Sequence, residues 1–218
     1  MGTVAAFLCR DAGDLKRSSE VMEEFGNVES LLNAHNPESE LSRLAPLDEA
    51  EILERCDASV RPCYEAAFRL MRESGGAFNP RWRGLATLDL GGIAKGFALD
   101  LAAARLGAID ALVDLGGNLK VCGGEWNVGV YGDGASRLKL AGNEACATSA
   151  EYARGKHIYD GRTGLAVTND VYSVTVVHPD SAMLADGLST ILFIFGREKG
   201  DEFLKLHHPE ARAVWQMR

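Results

Sequence analysis

The chain has 218 residues, and its 31 acidic side chains against 23 basic ones give a formal net charge of −8. This acidic balance argues against a broad surface for nucleic acid or anionic membranes, because phosphate groups attract clustered lysine and arginine. Charged residues make up 25% and hydrophobic residues 46% of the chain. That is the composition of an ordinary folded protein, and it excludes disorder over most of the chain.

The cysteines and the apolar stretches exclude further classes of protein. The five cysteines form no CxxC pair, so they predict neither a disulfide framework nor a zinc site, and we expect small buried hydrophobic residues. The longest apolar stretch, residues 191–195, is too short to span a bilayer. Because no signal peptide is evident, we expect a cytoplasmic location, with the periplasm as the alternative if the sequence was trimmed.

The N-terminal part of the chain predicts one strand followed by helices. Residues 3–9 have the pattern of a short opening strand. Over residues 15–32 apolar residues recur at three- and four-residue steps, which indicates an amphipathic helix that the pair at 36–37 (Asn-Pro) stops. A second apolar face over residues 53–71 predicts one helix, closed by the glycine pair at 75–76.

The middle of the chain predicts two buried strands that each end in a glycine pair. Residues 88–90 precede the pair at 91–92, after which residues 94–104 show one apolar helical face. The second strand, Ala111–Leu115, precedes the pair at 116–117.

The C-terminal part alternates strands with an apolar helix. The predicted elements are an antiparallel meander with segments near residues 121, 128–131 and 138–140, a strand at 171–177, a helix over 182–193 that Asp180 or Ser181 caps, and an edge strand at 212–216. Because helices and antiparallel strands are mixed without repeats or linkers, we predict an α+β fold in a single domain over residues 1–218.

The two glycine pairs provide the first candidate site. After Gly91 and Gly92 a helix begins whose first turn carries Lys95, and backbone amides at a helix start together with an ammonium suit a phosphate. Glycines between a strand and a helix are also ordinary turn residues, and Gly116 and Gly117 fit a simple hairpin. Two such pairs in one chain favour a shared ligand rim.

A polar stretch at residues 156–164, KHIYDGRTG, is the second candidate. Its histidine, His157, is the natural base near neutral pH, and Arg162 suits recognition of a phosphate or carboxylate. A surface loop with a locally satisfied histidine explains the stretch equally well.

Asp186 and Thr190 form the third candidate, because they lie four residues apart in an otherwise apolar helix and therefore share one face. A carboxylate in a mostly buried helix costs free energy unless it is paired or binds a cation. A carboxylate and a hydroxyl are oxygen ligands that Mg²⁺ accepts alongside phosphates and water. The alternative is that the Asp186 carboxylate accepts a hydrogen bond from a neighbouring backbone amide.

Taken together and in this order, these stretches resemble the ApbE family, the FAD:protein FMN transferases. The resemblance spans nearly the whole chain, and the combination of DLGGIAKG with ADGLST is its most specific part. The similar segments are MGT at 1–3, SELSR at 39–43, GGAFNP at 75–80, DLGGIAKGFALD at 89–100, LVDLGGNL at 112–119, TSAEY at 148–152, HIYDGRTG at 157–164 and ADGLST at 185–190.

The resemblance implies that the protein binds FAD and Mg²⁺, cuts the FAD diphosphate and moves FMN onto a Thr or Ser hydroxyl of a target protein. It makes His157 the general base. The implied metal ligands are Asp186, Thr190, Ser189 and the backbone carbonyl of Gly92, and the implied FAD contacts are Met1, Asp89, Lys95, Gly116, Gly117 and Ile158.

The sequence departs from the family between Pro80 and Asp89, where relatives usually carry several tens of residues that supply part of the FAD site. Two other functions therefore stay open: an FAD pyrophosphatase that releases FMN and AMP to water, and a non-catalytic flavin-binding protein. Further departures are Asn79 where Asp is common, Gly161 where Pro is common, His35 where a Tyr that stacks on FAD is expected, and Ala150 where Gly is usual.

Overall fold

The computed structural model describes residues 3–129, 137–150 and 157–218. In chain order, the helices and strands within these ranges are β1 (Ala5–Cys9), a 3₁₀ helix (Ala12–Arg17), α1 (Ser18–Leu32), α2 (Glu40–Leu44), α3 (Glu49–Arg55), α4 (Arg61–Glu73), α5 (Ala94–Leu106), β2 (Ala111–Leu115), β3 (Asn118–Val121), β4 (Glu125–Gly129), β5 (Arg137–Ala141), β6 (Ala145–Ala150), β7 (Tyr159–Asp160), β8 (Leu165–Ala166), β9 (Val171–His178), α6 (Ala182–Phe195), α7 (Arg197–His207) and β10 (Arg212–Met217). The predicted α+β fold is confirmed.

The helices of the N-terminal part follow the apolar pattern except at one break. Helix α1 buries Val21, Phe25, Val28 and Leu32 along one face, as the spacing predicts. The single helix predicted over residues 53–71 is wrong, because the chain forms α3 and α4 with a turn between them.

Local hydrogen bonds explain the break between α3 and α4. The Asp57 carboxylate accepts hydrogen bonds from the backbone amide and the hydroxyl of Ser59, which stabilises a turn rather than a continuing helix. Pro62 then lies in the first turn of α4, where a residue without an N–H group is tolerated; inside a continuous helix it would remove a hydrogen bond.

One six-stranded antiparallel sheet forms the centre of the fold, with the strand order β1-β2-β3-β6-β9-β10. The predicted edge position of β10 is confirmed. The strand predicted over residues 88–90 is wrong: Leu88 and Leu90 are buried, but the segment joins none of the described sheets. The apolar residues of this segment therefore pack in the core although the segment itself is a loop.

The predicted meander is divided between two sheets. Strands β4 and β5 pair with each other in a separate two-stranded sheet, whereas β3 pairs with β2 and β6 in the main one. Part of the predicted segment 128–131 lies outside the described residues.

Helices α5 and α6 pack against each other and against β3, β6 and β9. Of the two predicted caps, Ser181 caps α6, because its hydroxyl accepts a hydrogen bond from the Leu184 amide at 3.1 Å. The Asp100 carboxylate on α5 accepts further hydrogen bonds from the amides of Ala182 and Met183. The first turn of α6 is thus fixed to α5.

In the part of the chain that the structure describes, no helix combines the length and the apolar character that a bilayer crossing requires. The cytoplasmic location stays a prediction.

Candidate functional site

A cleft of about 510 Å³ opens where the N-terminal end of α5, the β2–β3 turn, the end of β6 and the face of α6 that carries Asp186 and Thr190 come together. Nine of the eleven predicted site residues line it. They are Asp89, Gly92, Lys95, Gly116, Gly117, His157, Ile158, Asp186 and Thr190. Residues far apart in the sequence therefore meet at one surface.

The ion pair between Lys95 and Asp186 is the electrostatic centre of the cleft. The Lys95 Nζ atom lies 3.2 Å from Asp186 Oδ2 and 3.3 Å from Oδ1, and it also donates to the backbone carbonyl of Gly91 at 3.0 Å. Asp186 is 4% exposed. Because a nearly buried carboxylate is costly without a partner, the pair stabilises its charge.

Gly96 allows α5 and α6 to approach closely enough for this contact. A Cβ atom at Gly96 would clash with the backbone carbonyl of Ala182, at the start of α6. Without one, the Gly96 amide donates a hydrogen bond to Asp186 Oδ2 at 3.1 Å. The amide-bonded alternative for Asp186 is therefore present in the structure, together with the ion pair.

The helix start differs from the predicted phosphate cradle. Four of its amides have acceptors within the protein, namely those of Gly91, Ile93, Ala94 and Gly96. The prediction that such amides point at a ligand is wrong for these four. The charged group that this helix start presents to the cleft is the Lys95 side chain.

Thr190 and Gly92 lie against each other on the wall of the cleft. A Cβ atom at Gly92 would lie 3.1 Å from Thr190 Oγ1, so the glycine allows this approach. Ser189 lies behind this wall and outside the lining: its hydroxyl is 2.9 Å from Ser149 Oγ and donates to the Asp186 carbonyl. Met1 lies outside the described residues.

The second glycine pair, Gly116 and Gly117, forms a hairpin turn, and the same turn lies at the rim of the cleft. Gly116 and Gly117 have φ values of +65° and +89°, as the tight turn between antiparallel strands β2 and β3 requires. The Gly117 amide donates to Asp114 Oδ1 at 2.9 Å. Next to the turn, Asn118 is 3% exposed, and among the described contacts its Nδ2 donor has no acceptor.

The His157 stretch lies along the same cleft. His157 is exposed at its edge, whereas Ile158 is buried. The Arg162 guanidinium donates to both oxygens of Asp160, and these hydrogen bonds hold the pKa of the Asp160 carboxyl below its usual value. Gly161 packs so tightly that a Cβ atom there would clash with Asn79.

An aromatic wall in the cleft was not foreseen from the sequence. The Trp82 and Tyr159 rings stack with centroids 4.2 Å apart and an interplanar angle of 12°, and both line the cleft together with Arg83. The available signal was a tryptophan between two arginines, RWR at 81–83, in a stretch without apolar periodicity.

The cysteines do not contribute thiolates to this site. Burial raises the pKa of the Cys63 thiol, and the nearby negative charge of Asp186 raises it further. Four of the five cysteines are buried, which confirms the expectation of small buried hydrophobic residues for these four, whereas Cys9 is partly exposed.

A Mg²⁺ ion is compatible with the residues of the cleft wall. Among the described residues, no three His, Cys, Asp or Glu side chains are grouped to hold a metal ion. The predicted site has another donor set: the Asp186 carboxylate, the Thr190 hydroxyl and a backbone carbonyl, which are hard oxygen ligands. In this structure the cation beside Asp186 is the Lys95 ammonium.

The chain is similar to proteins of one family. The family model described as "ApbE family" matches residues 82–215, which is more than half of the chain. An FAD:protein FMN transferase from Klebsiella pneumoniae is 38% identical over 129 residues, covering 52% of this chain and 40% of the relative. One from Treponema pallidum is 37% identical over 147 residues, covering 54% and 40%. The chain thus spans about 40% of the length of these relatives.

Solved structures share the fold over a longer range. The flavin transferase ApbE from Vibrio cholerae superposes with a TM-score of 0.79 and 22% identity, over 100% of this chain and 91% of that one. The apo form of the Pseudomonas stutzeri flavinyl transferase ApbE gives 0.78 at 20% identity, over 99% and 91%.

Proposed function

The chain belongs to the ApbE family, and from this premise we propose that it transfers FMN from FAD to a Thr or Ser hydroxyl of a target protein, with Mg²⁺. The observation that carries the proposal is the meeting of Lys95, Asp186, Thr190 and His157 at one cleft. Relatives named FAD:protein FMN transferase at 37–38% identity support the reaction class.

Charge and hydrogen bonding in the cleft suit a dinucleotide. The Lys95 ammonium is the natural partner for a diphosphate oxygen. The Asn118 amide has a buried donor without an acceptor in the described contacts, and a ligand oxygen would satisfy it. Gly117 in the β2–β3 turn has no side chain, and the space where a Cβ atom would lie is open to a ligand.

The metal role rests on the donor set of the cleft wall. Asp186, Thr190 and the Gly92 carbonyl would hold Mg²⁺, with Ser189 behind them, and the ion would neutralise charge on the two phosphates. The Lys95 ammonium would then be free to bind the phosphates.

His157 has the role of moving a proton. The acceptor hydroxyl is a poor nucleophile, and the His157 imidazole accepts its proton as the oxygen attacks the phosphorus of the FMN half. The bond between that phosphorus and the bridging oxygen breaks, and AMP leaves with the bridging oxygen. The exposed position of His157 at the cleft edge gives an acceptor protein access to it.

An assay by intact mass tests the proposal. The protein is mixed with FAD, Mg²⁺ and a candidate acceptor protein that has an exposed threonine, and the acceptor is weighed by mass spectrometry. We expect the acceptor to gain one FMN group with wild type. His157→Ala should keep FAD binding and lose transfer, whereas His207→Ala, at an exposed histidine on α7, should transfer normally.

Other outcomes of the assay identify the other functions. Free FMN and AMP without a modified acceptor would support an FAD pyrophosphatase. FAD that is bound but unchanged would support a non-catalytic flavin-binding protein. Transfer at the wild-type rate by His157→Ala would rule out His157 as the base.

A further inference from the structure

The stacked rings of Trp82 and Tyr159 form a rigid wall of the cleft. The Trp82 Nε1 atom donates to Asp89 Oδ2 at 3.2 Å, and the Asp89 amide donates to the Pro80 carbonyl at 2.8 Å. Tyr159 belongs to β7, which pairs with β8. Both rings are therefore held from their own segments as well as by each other.

The Arg83 guanidinium lies over the face of the Trp82 ring opposite Tyr159, and a ligand can displace it from there. The guanidinium carbon lies 4.6 Å from the Trp82 ring centroid. The Arg83 side chain is 50% exposed, and its ion pair with Asp89 is long, at 3.7 Å. Exposed ion pairs of this kind contribute little, so a ligand ring can displace the guanidinium at low cost.

We propose that a planar heteroaromatic ring of the dinucleotide stacks on the face of Trp82 that Arg83 now covers. The inference rests on the proposed function and deepens it, because it assigns a ring-binding subsite to the short connection between Pro80 and Asp89. The displaced Arg83 guanidinium then packs on the ring or pairs with a phosphate. Flavin and adenine both have the required π face.

The size of the effect follows from stacking in other ring-binding sites. Removing one aromatic partner of a nucleobase typically weakens binding by roughly 5- to 150-fold. We therefore expect Trp82→Leu, which keeps an apolar side chain and loses the ring, to weaken FAD binding within that range.

The chain offers a matched control at Trp126. An arginine guanidinium also lies over this ring, with the Arg10 carbon 4.8 Å from the centroid, but Trp126 is not among the residues that line the cleft. Trp126→Leu should bind FAD like wild type. Trp82→Phe keeps a ring and loses the donor to Asp89, so it should retain most of the affinity if stacking is the cause.

Isothermal titration calorimetry is the experiment, because it measures affinity without using the substituted tryptophan as the reporter. FAD, FMN and ADP are titrated separately into wild type and the three variants, after far-UV circular dichroism has shown that each variant is folded. Trp126→Leu should bind FAD with the affinity of wild type, Trp82→Phe should retain most of that affinity, and Trp82→Leu should bind FAD more weakly within the range given above. Weaker binding of FMN by Trp82→Leu than by wild type would identify the flavin as the stacked ring, and weaker binding of ADP would identify adenine.

The result that overturns the inference differs from the one that overturns the proposed function. If wild type and Trp82→Leu bind FAD with equal affinity, the ring subsite is wrong and the transferase proposal stands. If Trp82→Phe binds as weakly as Trp82→Leu, the hydrogen bond to Asp89 is responsible and stacking is not. If wild type binds no FAD, both the ring subsite and the proposed transferase function are wrong.

Discussion

At the scale of single residues, the sequence was most informative about charged side chains in unusual places. A carboxylate in an apolar helix, Asp186, is costly alone, and the structure provides its compensation in Lys95 and the Gly96 amide. The sequence could not identify those two partners, because they lie about ninety residues away and only the α5–α6 packing brings them together.

Asp186→Asn tests the charge at the centre of the cleft. The amide keeps the shape of the side chain and an acceptor for Gly96, but it removes the negative charge that a divalent ion needs. We expect Mg²⁺-dependent turnover to fall by about 100-fold or more, measured as AMP release from FAD.

Glu54→Gln is the control for this substitution. It removes one negative charge from an exposed position on α3, outside the cleft lining, and should leave turnover unchanged. Equal turnover in Asp186→Asn and wild type would remove Asp186 from the proposed metal site.

At the scale of elements, the apolar pattern predicted α1, α5, α6, β2, β9 and β10 correctly. Helix α1 has the single buried face that gives helical periodicity, whereas α6 and β9 are buried on nearly all sides and were indicated by continuous apolar runs. The apolar pattern gave the wrong prediction at two places, where local interactions determine the structure of the backbone. The turn at Asp57 and Ser59 divides one apolar face into α3 and α4, and residues 88–90 are buried without strand partners. Burial and strand pairing are separate properties, and a short apolar run indicates only that its residues are buried.

The crossing of α5 and α6 gives a prediction about stability. Gly96→Ala places a methyl group against the Ala182 carbonyl, which is backbone and cannot move aside. We expect the free energy of unfolding to fall by about 1–3 kcal/mol, measured by urea denaturation.

Gly26→Ala is the matched control. Gly26 lies in the interior of α1, and a Cβ atom there would meet nothing within 4 Å. Alanine at an exposed helix interior should raise the free energy of unfolding by up to about 1 kcal/mol. A destabilisation of both variants by the same amount would contradict the role given to the crossing.

The start of α6 also makes stability depend on pH. The buried His178 ring accepts hydrogen bonds at Nδ1 from the amides of Asp180 and Ser181. Burial lowers the pKa of His178, with His208 adding to the decrease and Asp180 and Glu210 opposing it. Because the unfolded chain then binds the proton more readily, stability is full above the ordinary histidine pKa and falls as the pH drops below it.

His178→Asn should flatten this dependence between about pH 7 and about pH 5.5. The asparagine carbonyl keeps an acceptor for the two amides and does not titrate. The measurement is the urea midpoint at several pH values in both proteins. An equally steep decline in the variant would assign the pH dependence to other groups.

At the scale of the whole molecule, the order of motifs along the sequence predicted the family, and that resemblance named nine of the residues that line the cleft. The aromatic wall was not predicted, because Trp82 and Tyr159 meet across about eighty positions of the sequence. Trp82 lies outside the quoted motifs, and the motif that contains Tyr159 does not indicate which ring it contacts. Contacts of that kind depend on the whole tertiary arrangement.

Ligand binding should stabilise the whole fold, because the cleft is assembled from distant parts of the chain and does not exist in the unfolded state. At free FAD of about 100 times the Kd, the gain is about 2.7 kcal/mol. Urea denaturation with and without FAD measures it, and an unchanged midpoint would contradict FAD binding to the folded protein.

The contact between Thr3 and the Gly116 turn has a practical consequence. Thr3 occupies the space that a Cβ atom at Gly116 would need, so Thr3 lies beside the rim of the cleft. Strand β10 lies at the sheet edge opposite β1, and none of its described residues lines the cleft. Affinity tags and fluorescent labels are therefore better attached after β10, where they do not crowd the entrance for FAD or the acceptor.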